Sequence, residues 1–439
     1  MTLPKELGLC TDLYEIRMCE SYLRLGMTER ATFSLFCRPS PERPFYVTTG
    51  LESALDVLSE FRFEADSLAY LRAQGISHDL VVWLRDLELT GELWAVPDGT
   101  VLLSYEPWLE FTAPLPVAQL LETALMNAMH AGTAVATKAA RLVRAAQGRP
   151  VVEFGFRRAH GLETGIQASL AAYVGGCVST SNVAAGQRYG LPVSGTMAHS
   201  FVQAFDEEVG AFREFVRDHP GSTLLIDSYD TLTGVDRAIA IAKSGGTLGA
   251  VRIDSEPLVE LSREVRRRLD EAGLLGVRIF ASGGLDEEDL AAVVAAGAPI
   301  DAFGVGSSLV CASDKPALDV AYKLVEYAGR GRAKFSRGKA TLPGRKQIFR
   351  TGSLERDVLE LRDSVAGGVP LLELVYRDGE RRYQFDGEMA RRRARRVLEG
   401  LPESWFSPMD LDRVPAPAIG RDLAAEARAV EERVLGRPA

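Results

Sequence analysis

The chain has 439 residues, which is more than one compact core holds and predicts two or three domains. It is 46% hydrophobic and 25% charged, a composition typical of soluble globular proteins. The net charge of −9 argues against a general binder of nucleic acids or anionic membranes. Five scattered cysteines without CxxC spacing indicate a reducing compartment and no zinc site.

The N-terminal segment MTLPKELGLCTDLYEI lacks the basic and then apolar pattern of a secretion signal. No apolar run approaches the roughly 20 residues of a membrane-spanning helix. We therefore expect a cytoplasmic protein.

The first 112 residues are predicted to form an α+β domain. Alternating stretches at Ala31–Cys37 and Phe45–Thr48 predict strands, and Leu51–Phe61 has helical periodicity. Thr112–Val117 contains two prolines and is interpreted as the linker that leaves this domain.

Residues 113–328 are predicted to form an α/β barrel, TIM-like but irregular. Apolar strand candidates alternate with helical segments such as Glu207–Val216 and Leu258–Leu269, which indicates a parallel sheet covered on both faces. The strand candidates are Val151–Phe156, Val174–Val178, Pro192–Val193, Thr223–Ile226, Gly249–Ile253, Val277–Ala281 and Ala302–Val305.

Polar residues or glycines follow these strands, which favours a barrel with its site at the carboxyl ends over an open doubly wound sheet. These residues are Arg157, Ser179, Thr196, Asp227, Arg252, Asp254, Ser282, Gly283, Gly284, Gly304 and Gly306. The late loops ASGGL and FGVGSSL offer backbone N–H groups near helix starts, as phosphate sites do. His199 in LPVSGTMAHSF is a candidate for chemistry beside Arg157 and Arg158; the alternative is a helix-capping histidine near surface arginines.

Residues 329–439 are predicted to form a basic segment and a C-terminal extension that returns toward the N-terminal domain. Gly329–Arg350 holds eight basic residues and no acid, so it is either a solvated loop or an anion site. Leu371–Tyr376 and Arg382–Phe385 predict a hairpin around Asp378-Gly379. The final helix, Gly387–Leu398, carries an arginine cluster that we interpret as a solvated face.

Eight motifs in order resemble the nicotinate phosphoribosyltransferase family, a group of type II phosphoribosyltransferases. They are TDLYEIRM, EFGFRRAHG, STSNVAAG, GTMAHSF, LIDSYDT, VRIDS, FGVGSSL and K-x-S-x-G-K-x-T-x-P-G-x-K-Q, between residues 11 and 350. The resemblance implies synthesis of nicotinate mononucleotide and pyrophosphate from nicotinate and phosphoribosyl pyrophosphate (PRPP), in NAD salvage. It also implies Mg²⁺, ATP as co-substrate and a homodimer with shared active sites.

The same resemblance assigns roles to individual residues. His199 would be the phosphorylated histidine, with Asp227 and Asp254 catalytic beside it. The pyridine ring would lie between Phe154 and the partner's Tyr14. Its carboxylate would be held by Thr196 and Arg252, and the phosphates by Arg157, Gly283, Gly284, Gly304, Gly306 and Ser307. Lys334, Lys339 and Lys346 match the family's basic segment.

Two positions bear on activity and specificity. Nicotinamide-using relatives place an aspartate about where Asn182 stands, so a neutral Asn182 favours a carboxylate substrate. The family pattern D-S-G-D is replaced by Asp254-Ser255-Glu256-Pro257, which puts the ribose and magnesium contacts there in doubt. This replacement also leaves open a non-catalytic, nucleotide-binding paralogue; a nicotinamide or quinolinate phosphoribosyltransferase is a further alternative.

Overall fold

The computed structural model describes residues 3–436 and contains two compact units, residues 3–137 with 315–436 and residues 138–314. The predicted boundaries at 112/113 and 328/329 stay predictions, and their outer limits at residues 1, 2 and 437–439 lie outside the described part. No helix between residues 3 and 436 is long and apolar enough to cross a membrane.

The helices and strands fall into three groups along the chain. The first group is α1 (Leu13–Arg24), β1 (Arg30–Cys37), β2 (Tyr46–Val47), α2 (Leu51–Glu60), α3 (Ala65–Ala73), α4 (His78–Arg85), β3 (Glu92–Ala95), β4 (Val101–Leu102), β5 (Pro107–Pro114), α5 (Leu115–Leu120) and α6 (Glu122–Ala145). The second is β6 (Val151–Glu153), α7 (Leu162–Val174), β7 (Ser179–Thr180), α8 (Val183–Tyr189), α9 (His199–Gln203), α10 (Glu208–Asp218), β8 (Thr223–Leu225), α11 (Thr231–Lys243), β9 (Ala250–Ile253), α12 (Leu258–Glu271), β10 (Arg278–Ala281), α13 (Glu287–Ala295), β11 (Ala302–Val305) and α14 (Ser307–Val310). The third is β12 (Val320–Tyr327), β13 (Arg330–Gly331), β14 (Lys346–Arg350), β15 (Val358–Leu361), β16 (Val369–Pro370), β17 (Glu373–Arg377), β18 (Glu380–Arg381), α15 (Gly387–Leu398), β19 (Ala418–Ile419) and α16 (Arg421–Leu435).

A seven-stranded sheet in the order β13-β12-β1-β5-β3-β17-β18 forms the centre of the first unit. Strand β1 pairs antiparallel with both β5 and β12, and β17 from the C-terminal region pairs with β3. The predicted N-terminal α+β domain completed by C-terminal strands is therefore confirmed. The hairpin turn is confirmed as well: Asp378 and Gly379 have positive φ values of 45° and 91°, as a type I′ turn needs. Its second strand is Glu380–Arg381, so the predicted strand Arg382–Phe385 is wrong.

The segment Thr112–Val117 is not a linker, and that prediction is wrong. Thr112 lies in β5 and its hydroxyl is 2.8 Å from that of Thr32 in β1, while helix α5 begins at Leu115. Both prolines fit these elements, because Pro114 ends the strand and Pro116 lies in the first turn of the helix, where a missing N–H costs little.

The second unit contains a six-stranded parallel sheet in the order β7-β6-β11-β10-β9-β8. Its first strand along the chain pairs with its last, Val151 opposite Phe303, which is how a barrel closes. A single bridge from Val193 to Thr180 adds a seventh position beside β7, so the seam lies between Val193 and β8. The predicted irregular α/β barrel is confirmed.

Two strand predictions in this unit are corrected. Val174 ends helix α7, and the strand begins only at Ser179, because two glycines at 175 and 176 end the helix. Pro192–Val193 supplies one bridge rather than a strand, since proline has no N–H to give a ladder.

The basic segment does not act as one anion site. Lys346 is buried in β14, with Nζ 3.0 Å from Glu110 Oε1, and Arg350 pairs with buried Asp357 at 2.5 Å. Burial lowers the pKa of Lys346, although the charge of Glu110 opposes the shift. These two cations are therefore neutralised inside the first unit, whereas Lys334 and Lys339 are exposed.

We expect Lys346→Met to lower the thermal unfolding midpoint by several degrees. Removing one partner of a buried ion pair typically costs about 3–5 kcal/mol when the other charge is left uncompensated. Glu110 keeps its pair with Arg362, so the loss should lie below this range. Arg345→Met is the matched control, since its pairs with Glu326 and Asp363 lie at the surface and are worth about 1 kcal/mol or less. Circular dichroism melts of both variants check this; equal midpoints would contradict it.

Candidate active site

A cavity of about 540 Å³ opens at the carboxyl ends of the barrel strands in the second unit. Most of the predicted site residues line it, and the structure thus brings together side chains spread over 150 positions of the chain. The predicted residues in the lining are Phe154, Arg157, Thr196, His199, Arg252, Asp254, Gly283, Gly284, Gly304, Gly306 and Ser307. Asp227, Asn182 and Tyr14 are not in the lining.

Arg252 is held in a fixed orientation. Strand β9 alternates, so Val251 and Ile253 are buried while Arg252 points to the cavity. Its guanidinium donates to Thr196 Oγ1 at 2.9 Å, to Ser282 Oγ at 2.7 Å and to Asp254 Oδ1 at 2.9 Å.

The guanidinium carbon of Arg252 also lies 5.7 Å from the centre of the Phe154 ring. A planar cation beside an aromatic face suits a flat, aromatic anion, because the ring stacks while the cation pairs with the charge.

His199 begins helix α9 and lies between two polar partners. Its Nδ1 is 3.0 Å from Ser228 Oγ, and its Nε2 is 4.0 Å from Asp254 Oδ2. Burial raises the pKa of Asp254, but the hydrogen bond from Ser282 and the charge of Arg252 outweigh it, so the net pKa is lowered. An ionised carboxylate therefore faces an imidazole whose side chain is 42% exposed to the cavity.

Asp227 lies behind the lining and ties two strand ends together. Its Oδ2 accepts the N–H of Asp254 at 2.6 Å and the hydroxyl of Ser255 at 2.7 Å. Its Oδ1 is buried without a hydrogen-bond partner in residues 3–436. Such an oxygen suits a hard cation, so Asp227 and Asp254 fit Mg²⁺. The described residues hold no cluster of three or more acidic, histidine or cysteine side chains that could bind a metal ion.

In the loops ASGGL and FGVGSSL, a side chain at Gly283 or Gly304 would clash with neighbouring atoms. Gly283 has a φ of 111°, and a Cβ there would lie 2.7 Å from the carbonyl oxygen of Asp254. A Cβ on Gly304 would lie 2.6 Å from the Phe154 ring. Arg158 Nη1 donates to Ser307 Oγ at 2.9 Å, so a second arginine of the EFGFRRAHG motif borders the loop after β11. The pair of arginines and the open N–H groups suit phosphate.

Asn182, which the sequence predicted to contact the substrate, does not line the cavity. The side chain is buried; Oδ1 accepts the N–H of Ala185 at 3.2 Å, and Nδ2 donates to Ser169 Oγ at 3.2 Å. Asn182 caps helix α8, as asparagine favours, and the neighbouring Ser181 lines the cavity instead.

Tyr14 belongs to the other unit. It lies on helix α1 and is 47% exposed, and burial, with the nearby Glu122, raises the pKa of its hydroxyl. Its predicted contact with a ring in a partner's site stays a prediction.

Sequence reasoning missed three contributors: Ser181, Ser228 and Glu153. Each stands at a strand end inside or next to a motif that had been singled out. Their polar type was a usable signal, but which of two neighbouring residues faces the cavity depends on the local turn.

Comparisons with known proteins agree on one family. Residues 9–130 match the family model for the nicotinate phosphoribosyltransferase N-terminal domain, and residues 135–322 match that for the quinolinate phosphoribosyl transferase C-terminal domain. The chain is 47% identical over 407 residues to nicotinate phosphoribosyltransferase pncB2 of Mycobacterium tuberculosis, covering 90% of this chain and 88% of the relative. It is 42% identical over 357 residues to the nicotinate phosphoribosyltransferase of Bacillus subtilis, covering 78% and 73%. The crystal structure of human nicotinic acid phosphoribosyltransferase is similar with a TM-score of 0.81 and 26% identity, covering 96% of this chain and 99% of that one.

Proposed function

Because the chain belongs to the nicotinate phosphoribosyltransferase family, as its motifs predicted, we propose that it makes nicotinate mononucleotide and pyrophosphate from nicotinate and PRPP in NAD biosynthesis. We further propose that ATP hydrolysis, through a phosphorylated His199, is coupled to this transfer. The observation that carries the proposal is Arg252, which is held by three hydrogen bonds over the Phe154 ring inside the cavity.

Arg252 and Thr196 bind the carboxylate of nicotinate, and Phe154 packs on the pyridine ring. Arg157 and the loops at Gly283, Gly284, Gly304, Gly306 and Ser307 bind the phosphates of PRPP. The aromatic and anionic parts of the two substrates thereby lie in one cavity, which turns a bimolecular reaction into an oriented one.

The pyridine nitrogen attacks C1 of the ribose while the bond from C1 to the pyrophosphate oxygen breaks and pyrophosphate leaves. Asp227 and Asp254 would hold Mg²⁺, which when bound neutralises charge on the pyrophosphate. Asp254 and Ser255 remain anchored by Asp227 even though Glu256 and Pro257 replace the family's glycine and aspartate. This anchoring supports an active enzyme over a non-catalytic paralogue.

In the coupling step, a neutral imidazole nitrogen of His199 attacks the γ-phosphorus of ATP, and ADP leaves as the P–O bond breaks. Water then attacks the phosphorus, the N–P bond breaks, and phosphate and the free imidazole are released. The ionised Asp254 near Nε2 stabilises the positive charge that the ring gains. A cytoplasmic location stays part of the proposal.

The direct test is pyrophosphate release from PRPP and Mg²⁺ with nicotinate, nicotinamide or quinolinate, each with and without ATP. Nicotinate should be used about 10- to 100-fold better than nicotinamide, the range expected for one charge-assisted pair with Arg252. Equal use of both, or a preference for quinolinate, would overturn the assignment.

For the phosphoenzyme, we expect His199→Ala to abolish ATP hydrolysis and to leave slow, uncoupled transfer. His160→Ala, an exposed histidine of the same unit, should hydrolyse ATP at the normal rate. Phosphate release from ATP measures both variants. A His199→Ala variant with full hydrolysis would show that another group accepts the phosphoryl group.

We propose that Ser181, which lines the cavity, discriminates between nicotinate and nicotinamide in place of Asn182, which does not line it. Ser181→Asp places a carboxylate in the cavity that binds the nicotinate carboxylate, so kcat/KM for nicotinate should fall about tenfold or more through like-charge repulsion. Ser181→Asn has the same size without the charge and should cost much less. Equal losses in the two variants would point to bulk rather than charge.

For assembly, we propose a homodimer in which Tyr14 of each chain serves the partner's site. Tyr14→Ala should weaken nicotinate binding more than PRPP binding, because ring stacking is worth about 0.5–1.5 kcal/mol beyond burial. Mixing Tyr14→Ala with His199→Ala chains should restore activity, since a mixed dimer then holds one intact site. No recovery after demonstrated subunit exchange would place each site within one chain.

A further inference from the structure

Glu153 is a fully buried carboxylate directly below the cavity. It ends strand β6, with a relative exposure of 0%, and it forms no ion pair within residues 3–436. Its carboxylate accepts hydrogen bonds from the backbone N–H of Gly155, from Ser169 Oγ at 2.9 Å and from Thr180 Oγ1 at 2.5 Å. A buried charge without a counter-ion is costly, and these three donors are what stabilise it.

Asn182 donates hydrogen bonds to the two hydroxyl groups that contact the Glu153 carboxylate. The backbone N–H of Asn182 donates to Thr180 Oγ1 at 3.0 Å, and Asn182 Nδ2 donates to Ser169 Oγ at 3.2 Å. Thr180 Oγ1 therefore accepts from Asn182 and donates to Glu153, whereas the Ser169 hydroxyl has two acceptors within reach, Glu153 and the carbonyl oxygen of Gly165 at 3.0 Å. An amide NH₂ facing Thr180 would leave the Thr180 hydroxyl proton without its acceptor, so the network favours a carboxylate over an amide at position 153.

This network fixes two segments that line the cavity. Gly155 starts the turn that carries Arg157, and it packs so tightly that a Cβ there would lie 2.4 Å from Val310. On the other side, the N–H of Ser181 donates to the backbone oxygen of Glu153 at 3.0 Å. Phe154 and Ser181, which both face the cavity, are thereby attached to the same residue.

We propose that Glu153 is a positioning residue that sets Phe154 and Ser181 for the pyridine ring, acting through Thr180 and Gly155 without touching substrate. This rests on the proposed function. Asn182, expected from the sequence to read the substrate directly, then acts as the donor that polarises the network.

The test compares Glu153→Gln with two substitutions at Thr180. Glu153→Gln keeps the shape but puts donors where only acceptors fit. Thr180→Val removes the hydroxyl at nearly constant size, whereas Thr180→Ser keeps it. We expect kcat/KM for nicotinate to fall about tenfold or more in the first two variants and to stay near the parent value in Thr180→Ser.

The kinetic pattern separates positioning from loss of fold. KM for nicotinate should rise more than KM for PRPP, and the double variant Glu153→Gln/Thr180→Val should be about as impaired as the worse single variant, because both break one network. Parent-like constants in Glu153→Gln, an equal rise of both KM values, or losses that multiply would overturn the proposal. If Glu153→Gln does not fold, the contrast between Thr180→Val and Thr180→Ser decides it.

Hydrogen–deuterium exchange gives a readout that needs no activity. Peptides with Gly155 and Ser181 should exchange faster in Glu153→Gln and Thr180→Val, while helix α12 should exchange as in the parent. Unchanged exchange at both peptides would overturn the inference. If the variants exchange faster but the parent protein shows no transfer to nicotinate, the network stands and the proposed function is refuted instead.

Discussion

The parallel pairing of β6 with β11 is the contact on which the site depends. It joins the first and last strands of the barrel unit, so loops that are 150 residues apart in the chain meet at one edge. The turn after β6 carries Phe154 and Arg157, and the loop after β11 carries Gly306 and Ser307. In an open sheet these strands would lie apart, and neither the ring contact at Gly304 nor the bond from Arg158 to Ser307 would form.

The charged side chains at the cavity are stabilised in two different ways, by an ion pair and by neutral hydrogen-bond donors. Arg252 and Asp254 neutralise each other at the wall and stay partly exposed, so they are available to a charged substrate. Glu153 is buried and stabilised only by neutral donors. The first arrangement favours ligand binding, because a new anion can share the guanidinium. The second favours rigidity, because moving any donor would remove a hydrogen bond from a buried carboxylate.

In the first unit, the number of basic residues in one segment does not predict an anion site, because some of them form buried ion pairs. The basic segment looks like one anion site in the sequence, but two of its cations, Lys346 and Arg350, point inward from β14 to Glu110 and Asp357. Glu110 is 236 residues from Lys346, so no window of the chain reveals that pair. Asp357 is only seven residues after Arg350, but the two meet because β14 and β15 pair antiparallel. Asn182 is a similar case: its type is that of a recognition residue and equally of a helix cap, and the turn after β7 makes it a cap.

The sequence by itself determined the family, the alternation of strands and helices, the hairpin at Asp378-Gly379 and most of the cavity lining. These follow from local properties, namely apolar periodicity, glycine and proline placement, and motifs whose spacing is set by single strand–loop units. Only the tertiary structure decided that Ser181 rather than Asn182 faces the cavity, that Lys346 is buried and that Glu153 anchors two loops. Those outcomes depend on partners brought close by strand pairing over long separations, and on side-chain directions that change completely with a shift of one residue.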